Sequence, residues 1–109
     1  MSEDPYGLFI PISVEGSSDL KIVERIAYDV AKEILTTIPG GMKDFDPIIR
    51  YKEINSYNIT ITVIMKTKTY FDSFSVKHEF IRALDMCYKQ ASIKIIPNAT
   101  SVVVPIVKN

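Results

Sequence analysis

Between Ser18 and Ile38 apolar residues recur at helical spacing. Leu20, Val23, Ala27, Val30, Ala31, Ile34 and Ile38 fall on one side, opposite Lys21, Arg25, Asp29 and Lys32. Ser18 or Asp19 supplies a side-chain oxygen to cap the first turn, and Pro39-Gly40-Gly41 stops the helix. A second helix is predicted from Tyr70 onward. Its core stripe is read as Phe74, Phe80, Ile81, Leu84, Cys87, Tyr88 and Ala91, facing away from Asp72, Ser75, Glu79, Arg82, Asp85 and Gln90. In that phase Val76 and Ala83 lie off the stripe, and Met86 sits in the middle of the polar side.

The remaining apolar runs have a period of two. In residues 7 to 14, Leu8, Ile10, Ile12 and Val14 alternate with Phe9, Pro11 and Ser13, and Pro11 argues for an edge strand or a bulge. Residues 48 to 54 and 58 to 66 are two β-rich runs joined by Asn55-Ser56-Tyr57, which predicts an antiparallel hairpin. In the second run Ile59, Ile61, Val63 and Met65 form a buried face opposite Thr60, Thr62, Ile64 and Lys66. Behind the second helix, Ile93, Ile95 and Ile96 form a short strand closed by Pro97, and after a break at 97 to 100 a last β run covers Ser101 to Val107.

Strand, helix, strand, strand, helix, strand is the order of a ferredoxin-like βαββαβ two-layer α+β sandwich, here with an additional C-terminal strand. The chain is read as one domain, 1 to 109, with its core at about 7 to 97 and the extra strand at about 101 to 107. An apolar strand beyond a proline break, with unpaired backbone, is a template for association, so this strand is expected to pair outside the chain's own sheet.

Composition narrows the classes of function. Thirteen basic residues balance thirteen acidic ones, which gives no broad pull toward nucleic acid or an anionic membrane. The lone cysteine, Cys87, forms no internal disulfide and is read as an inert core thiol in a reducing compartment. Asn58-Ile59-Thr60 and Asn98-Ala99-Thr100 match the glycosylation pattern, but MSEDPYGLF is not a secretion signal, so both are read as coincidence. The longest apolar run, Val102 to Val107, is interrupted by Pro105 and far shorter than a membrane span, so the chain itself is expected to be soluble.

Candidate chemistry is sparse. His78 has no partner histidine or cysteine cluster for a transition metal, and its helical neighbours Phe74, Ser75, Ile81 and Arg82 include no carboxylate to orient it as a base. Asp44 and Asp46 share a loop but lack a cation-binding pattern, and Gly40-Gly41 ends a helix where a phosphate cradle would begin one. Ferredoxin-like domains that read RNA carry aromatics on a central strand; Asn58 to Val63 has none. A metal-carrying version needs a Cys-x-x-Cys pair, and an acylphosphatase needs an arginine after the first strand, where Glu15-Gly16-Ser17-Ser18 stands. No catalytic, cofactor-binding or metal-binding residue is assigned. Met86, with Ile22 and Ile26 on the first helix, hints at a protein-protein surface.

Three segments in order carry a family resemblance. Asp46 to Ile59, DPIIRYKEINSYNI, resembles the P-x-V-x-x-x-E-L-G-x-S-S-I/V segment in the cytoplasmic C-terminal domain of small-conductance mechanosensitive channels, the MscS family. Val76 to Leu84, continuing through Tyr88 to Ile95, resembles its last helix and following strand, and Val14 to Leu20 its strand, loop and S/T-D-L/I helix start. The resemblance spans about residues 8 to 104. This chain has Ser92 where the family often has glycine, and Ile96-Pro97-Asn98-Ala99-Thr100 where it has I-P-F-P-Q. The membrane helices, pore and middle β domain of the family have no counterpart here, and no pore or gating residue is carried over.

The resemblance implies a non-catalytic vestibule and assembly domain of a mechanosensitive ion channel, in a cytoplasmic cage of seven copies below the pore. Side portals lie between neighbouring domains, and the final strands close a small parallel barrel. It implies self-association, no nucleic-acid partner and no direct membrane contact by this portion. Ser101, Val102, Val103, Val104 and Ile106 become the expected oligomer interface, with Met86 beside them as the exposed apolar position of the second helix. The competing reading is a stand-alone ferredoxin-like regulatory domain that binds a small molecule or a protein partner.

Overall fold

The computed structural model describes residues 4–97. Within them, β1 (Tyr6–Glu15), α1 (Leu20–Thr37), β2 (Ile48–Ile54), β3 (Asn58–Thr67) and α2 (Tyr70–Gln90) follow in the order read from the sequence. β3 is the centre of a three-stranded antiparallel sheet ordered β1-β3-β2. The predicted strand after α2 is reduced to a strip along the far side of β1. Val14 bridges Ile95, the Glu15 N–H donates to the Lys94 carbonyl at 3.0 Å, and the Ile96 N–H donates to the Ser13 carbonyl at 2.8 Å. That strip occupies the fourth-strand position of a ferredoxin-like sheet. The expected C-terminal strand, Ser101 to Val107, lies outside the described residues.

The two-residue period decides which face is covered. Leu8, Ile10, Ile12 and Val14 of β1 and Ile59, Ile61, Val63 and Met65 of β3 are buried on one face. α1 covers it with Val23, Ala27, Val30, Ala31, Ile34 and Leu35, and α2 with Val76, Phe80, Leu84 and Tyr88. Each Val, Leu, Ile, Met or Phe side chain among them contributes on the order of 1.5–3 kcal/mol when withdrawn from water, and the two alanines less. Thr60, Thr62, Ile64 and Lys66 lie half-exposed on the other face, as the alternation predicts.

The stripe of α2 differs from the one read in the sequence. Phe74 and Ile81 are exposed, Cys87 is half-buried, Ala91 is exposed and Val76 is fully buried. Phe80, Leu84 and Tyr88 set the phase. Four and then three residues back from Phe80 the buried line runs through Val76 and Ser73, which rotates Phe74 off the core. Buried Ser73 is satisfied by donating its hydroxyl to the Tyr70 carbonyl at 2.6 Å. Ala83, also read as off the stripe, packs against the core as well.

The helix ends are fixed locally. Asp19 caps α1, accepting from the Lys21 and Ile22 amides at 2.9 and 3.4 Å. Beyond α1, Gly40 adopts φ 94, and a side chain there would run into Asp72 at the start of α2. α2 ends in a Schellman turn: the Ile93 N–H donates to the Tyr88 carbonyl at 2.8 Å and the Ser92 N–H to the Lys89 carbonyl at 3.1 Å. Ser92 takes φ 60 there, so the left-handed turn forms without the glycine the family often has. Ile93 then folds into the core and directs residues 94–96 onto β1.

Candidate functional site

The residues with potential chemistry are scattered. His78 is exposed on α2 and makes no hydrogen bond or ion pair among the described residues. Cys87 is a free thiol, half-buried and packed against the core. The Asp46 carboxylate accepts from the Tyr28 hydroxyl, a bond that holds the phenol above its ordinary pKa. Asp44 is exposed, and no group of three or more His, Cys, Asp or Glu side chains converges among the described residues. An open groove of about 810 Å³ runs between α1 and β2, lined by Lys21, Glu24, Arg25, Tyr28, Asp29, Arg50 and the Pro47-Ile48-Ile49 run. Near it the Tyr51 hydroxyl donates to the Glu24 carboxylate at 2.7 Å; burial first, and that bond second, push its pKa up to about 12.

The exposed apolar positions are more concentrated. Met86 is 55% exposed and Ile22 is also exposed, in agreement with the sequence reading, while Ile26 packs partly against the core. A larger patch was not anticipated. At the start of β1 and the first turns of α2, Tyr70 sits between Tyr6, whose ring centre is 5.1 Å away edge-on, and Phe74, 5.0 Å away in the same arrangement, with Phe71 at 6.3 Å. All four rings are exposed, Phe71 to 78%, and Phe9 on the open face of the sheet is 64% exposed. Monomeric proteins rarely show so many contiguous aromatic side chains to water.

The two sides of the sheet differ in how they are finished. β2 carries Arg50, Lys52 and Glu53, and its pairing with β3 slips between Tyr51 and Glu53, leaving Lys52 as a bulge residue. β1 has no charged residue from Pro5 to Val14. Pro11 costs β1 nothing against β3. Its nitrogen points to the same side as the Glu15 N–H, away from β3 and toward the 94–96 strip.

The expected interface residues Ser101, Val102, Val103, Val104 and Ile106 lie outside the described residues, and Met86 lies about 18 Å along α2 from Phe74 at 1.5 Å per residue. Tyr6, Phe9, Tyr70, Phe71 and Phe74 were the positions sequence reasoning missed. The available signal was the phase of α2. Anchored on Phe80, Leu84 and Tyr88 and run backward, it takes Phe71 and Phe74 off the core, whereas Tyr70 shares the phase of Tyr88 and is exposed at the first position of the helix.

No protein-family model matches the chain, and no curated protein matches it by sequence. Solved structures do match in fold. MscS of Helicobacter pylori, in its closed state, superposes with a TM-score of 0.67 at 19% identity, covering 97% of this chain and 39% of that one. An Arabidopsis thaliana MSL1 variant gives a TM-score of 0.67 at 8% identity, covering 87% of this chain and 36% of that one. The chain thus has the fold of a portion of MscS, a portion amounting to well under half of either solved chain.

Proposed function

We propose that this chain is the cytoplasmic assembly domain of a mechanosensitive channel of the MscS type. It is a non-catalytic module that joins copies into a ring-shaped cage, seven in number by the resemblance, and shapes the route of solutes toward the pore. The supporting observation is the fold match with MscS over 97% of the chain, in the same order of elements as the three sequence segments that resemble the family. Ser101 to Val104 and Ile106 join neighbouring copies, with Met86 as an accessory apolar contact. Neither nucleic acid nor lipid is a partner of this portion.

The test is made in the channel itself. Expressed with whatever its gene encodes upstream, the protein rescues a bacterial strain without mechanosensitive channels from sudden osmotic dilution, and removal of residues 101 to 109 abolishes assembly and rescue. A gene that encodes no apolar spans in frame, or a deletion that leaves assembly intact, rejects the reading. The competing regulatory-domain reading draws on the groove between α1 and β2, where Lys21, Arg25 and Arg50 make no ion pair among the described residues. It predicts a monomer that binds an anionic small molecule.

A further inference from the structure

The open face of the sheet, away from both helices, carries a polar pocket of about 320 Å³, within the roughly 300–1,000 Å³ that small-molecule sites occupy. Its floor is Ser13 of β1 with Asn58 and Thr60 of β3. Asn58 Oδ1 is shielded from water and accepts no hydrogen bond among the described residues, the kind of buried polar atom that calls for a partner. The terminal torsion of an asparagine is broad, so the amide can turn that oxygen into the pocket. Beside it the Ser13 and Thr60 hydroxyls bond each other at 2.8 Å, and the accepting hydroxyl keeps its own proton to donate. The rim is built by the bulge of β2. Consecutive residues of an unbroken strand face opposite ways, but the slip between Tyr51 and Glu53 lets both Lys52 and Glu53 line the same pocket. An ammonium and a carboxylate thus flank one orphaned oxygen, and neither forms an ion pair among the described residues. One Glu53 oxygen accepts from Asn55 Nδ2 at 3.0 Å, which leaves the other for a further donor. Pro11 and Pro97 add an apolar wall.

We propose that this pocket binds a small zwitterion with N–H donors, a neutral aliphatic α-amino acid. The ligand ammonium donates to the free Glu53 oxygen and to Asn58 Oδ1, and its carboxylate meets the Lys52 ammonium and accepts the spare hydroxyl proton of the Ser13–Thr60 pair. A short aliphatic side chain lies against Pro11 and Pro97. Neither a simple anion nor a simple cation uses the whole set, because one of the two rim charges is then left without a partner. Contacts this open to water are individually weak, so the affinity expected is millimolar. The site rests on neither reading of the whole chain. It uses the open face of one copy, and it is present whether or not copies assemble.

The test is a titration of the nitrogen-15-labelled full chain followed by amide NMR, with L-alanine, N,N,N-trimethylglycine and acetate as the probes. L-alanine at millimolar concentration is expected to shift the amides of Ser13, Lys52, Glu53, Asn58 and Thr60. Trimethylglycine carries both charges but no N–H, so it is expected to bind about tenfold more weakly, the loss of a hydrogen bond from a charged donor. Asn58→Ala and Lys52→Gln should each weaken L-alanine as well, and the comparison of probes on the unaltered chain stands even if a variant fails to fold. An absence of saturable shifts overturns the proposal, as does trimethylglycine binding as well as L-alanine, which would leave Asn58 without a role. Acetate matching L-alanine also overturns it, in favour of a simple anion contact at Lys52, and so do shifts centred on the groove between α1 and β2. None of these results bears on whether copies of the chain assemble, which the sedimented mass reports separately.

Discussion

The two outer strands of the sheet are paired to the same central strand, yet they meet their surroundings in opposite ways. β2 is shielded by Arg50, Lys52, Glu53 and a bulge, the features that discourage a neighbouring chain from pairing. β1 is uncharged from Pro5 to Val14, covered by the 94–96 strip at one end and flanked by exposed aromatic rings at the other. Folding alone does not require this asymmetry, because the core lies on the helical face of both strands. The contrast separates residues that build the domain from residues available to join it to another copy.

The most disruptive way to break the comparison is to release the strip that covers β1. Tyr88 is fully buried, its hydroxyl donates to the Val23 carbonyl at 2.8 Å, and its own carbonyl receives the Ile93 N–H. Tyr88→Ala is expected to cost about 3–5 kcal/mol by chemical denaturation. Hydrogen exchange at the Glu15 and Ile96 amides should then accelerate more than at the β2–β3 pairing. Equal acceleration at both would show that the strip is not separately anchored.

The edge charges give the next test. Lys52→Val combined with Glu53→Val strips β2 of two of its three charges and is expected to create concentration-dependent association that light scattering detects at neutral pH. Unchanged scattering would mean that those charges do not guard the edge.

A smaller effect comes from the phenol of Tyr88. Burial, with a minor contribution from Tyr51, raises its pKa well above the ordinary 10. The folded state therefore holds this proton more tightly than the unfolded one. Its contribution is complete below pH 10 and is lost as pH rises above 10 toward the folded value. Tyr51, pushed up to about 12, adds to the same alkaline slope between pH 10 and 12. Tyr88→Phe should lower stability by about 1 kcal/mol at pH 7 and flatten the decline above pH 10. A decline of unchanged steepness would assign it elsewhere.

The smallest expected change is a gain. Ser92 holds φ 60 at the turn that sends the chain back along β1, a conformation costing a non-glycine residue about 1 kcal/mol. Ser92→Gly should raise stability by less than 1 kcal/mol, since glycine's freedom in the unfolded state offsets part of the relief. A measured loss would point to a role for the Ser92 hydroxyl.

Much of this architecture was legible in the residues themselves. The alternation in β3, the cap at Asp19, the stop at Pro39-Gly40-Gly41 and the hairpin at Asn55 rest on local chemistry, and each is present. Assigning Phe74 and Ile81 to the core failed because hydrophobicity was taken as burial. Only the phase fixed by Phe80, Leu84 and Tyr88, which carries Val76 and Ser73 inward, turns Phe74 away from the core. The aromatic patch was illegible for a related reason. Tyr6 and Tyr70 are 64 residues apart, and their meeting depends on β1 pairing with β3 so that Tyr6 lies opposite Thr67. The expected interface strand from Ser101 lies beyond the described residues, so its role stands as a proposal.

The central claim is the proposal that copies of this chain join one another, with residues 101 to 109 as the joining segment. Sedimentation equilibrium of the full chain across a wide concentration range tests it most directly. The account predicts a mass several times the 12.3 kDa of one chain, returning to a single chain on removal of residues 101 to 109. A single-chain mass at every concentration, or a multimer indifferent to that removal, contradicts it.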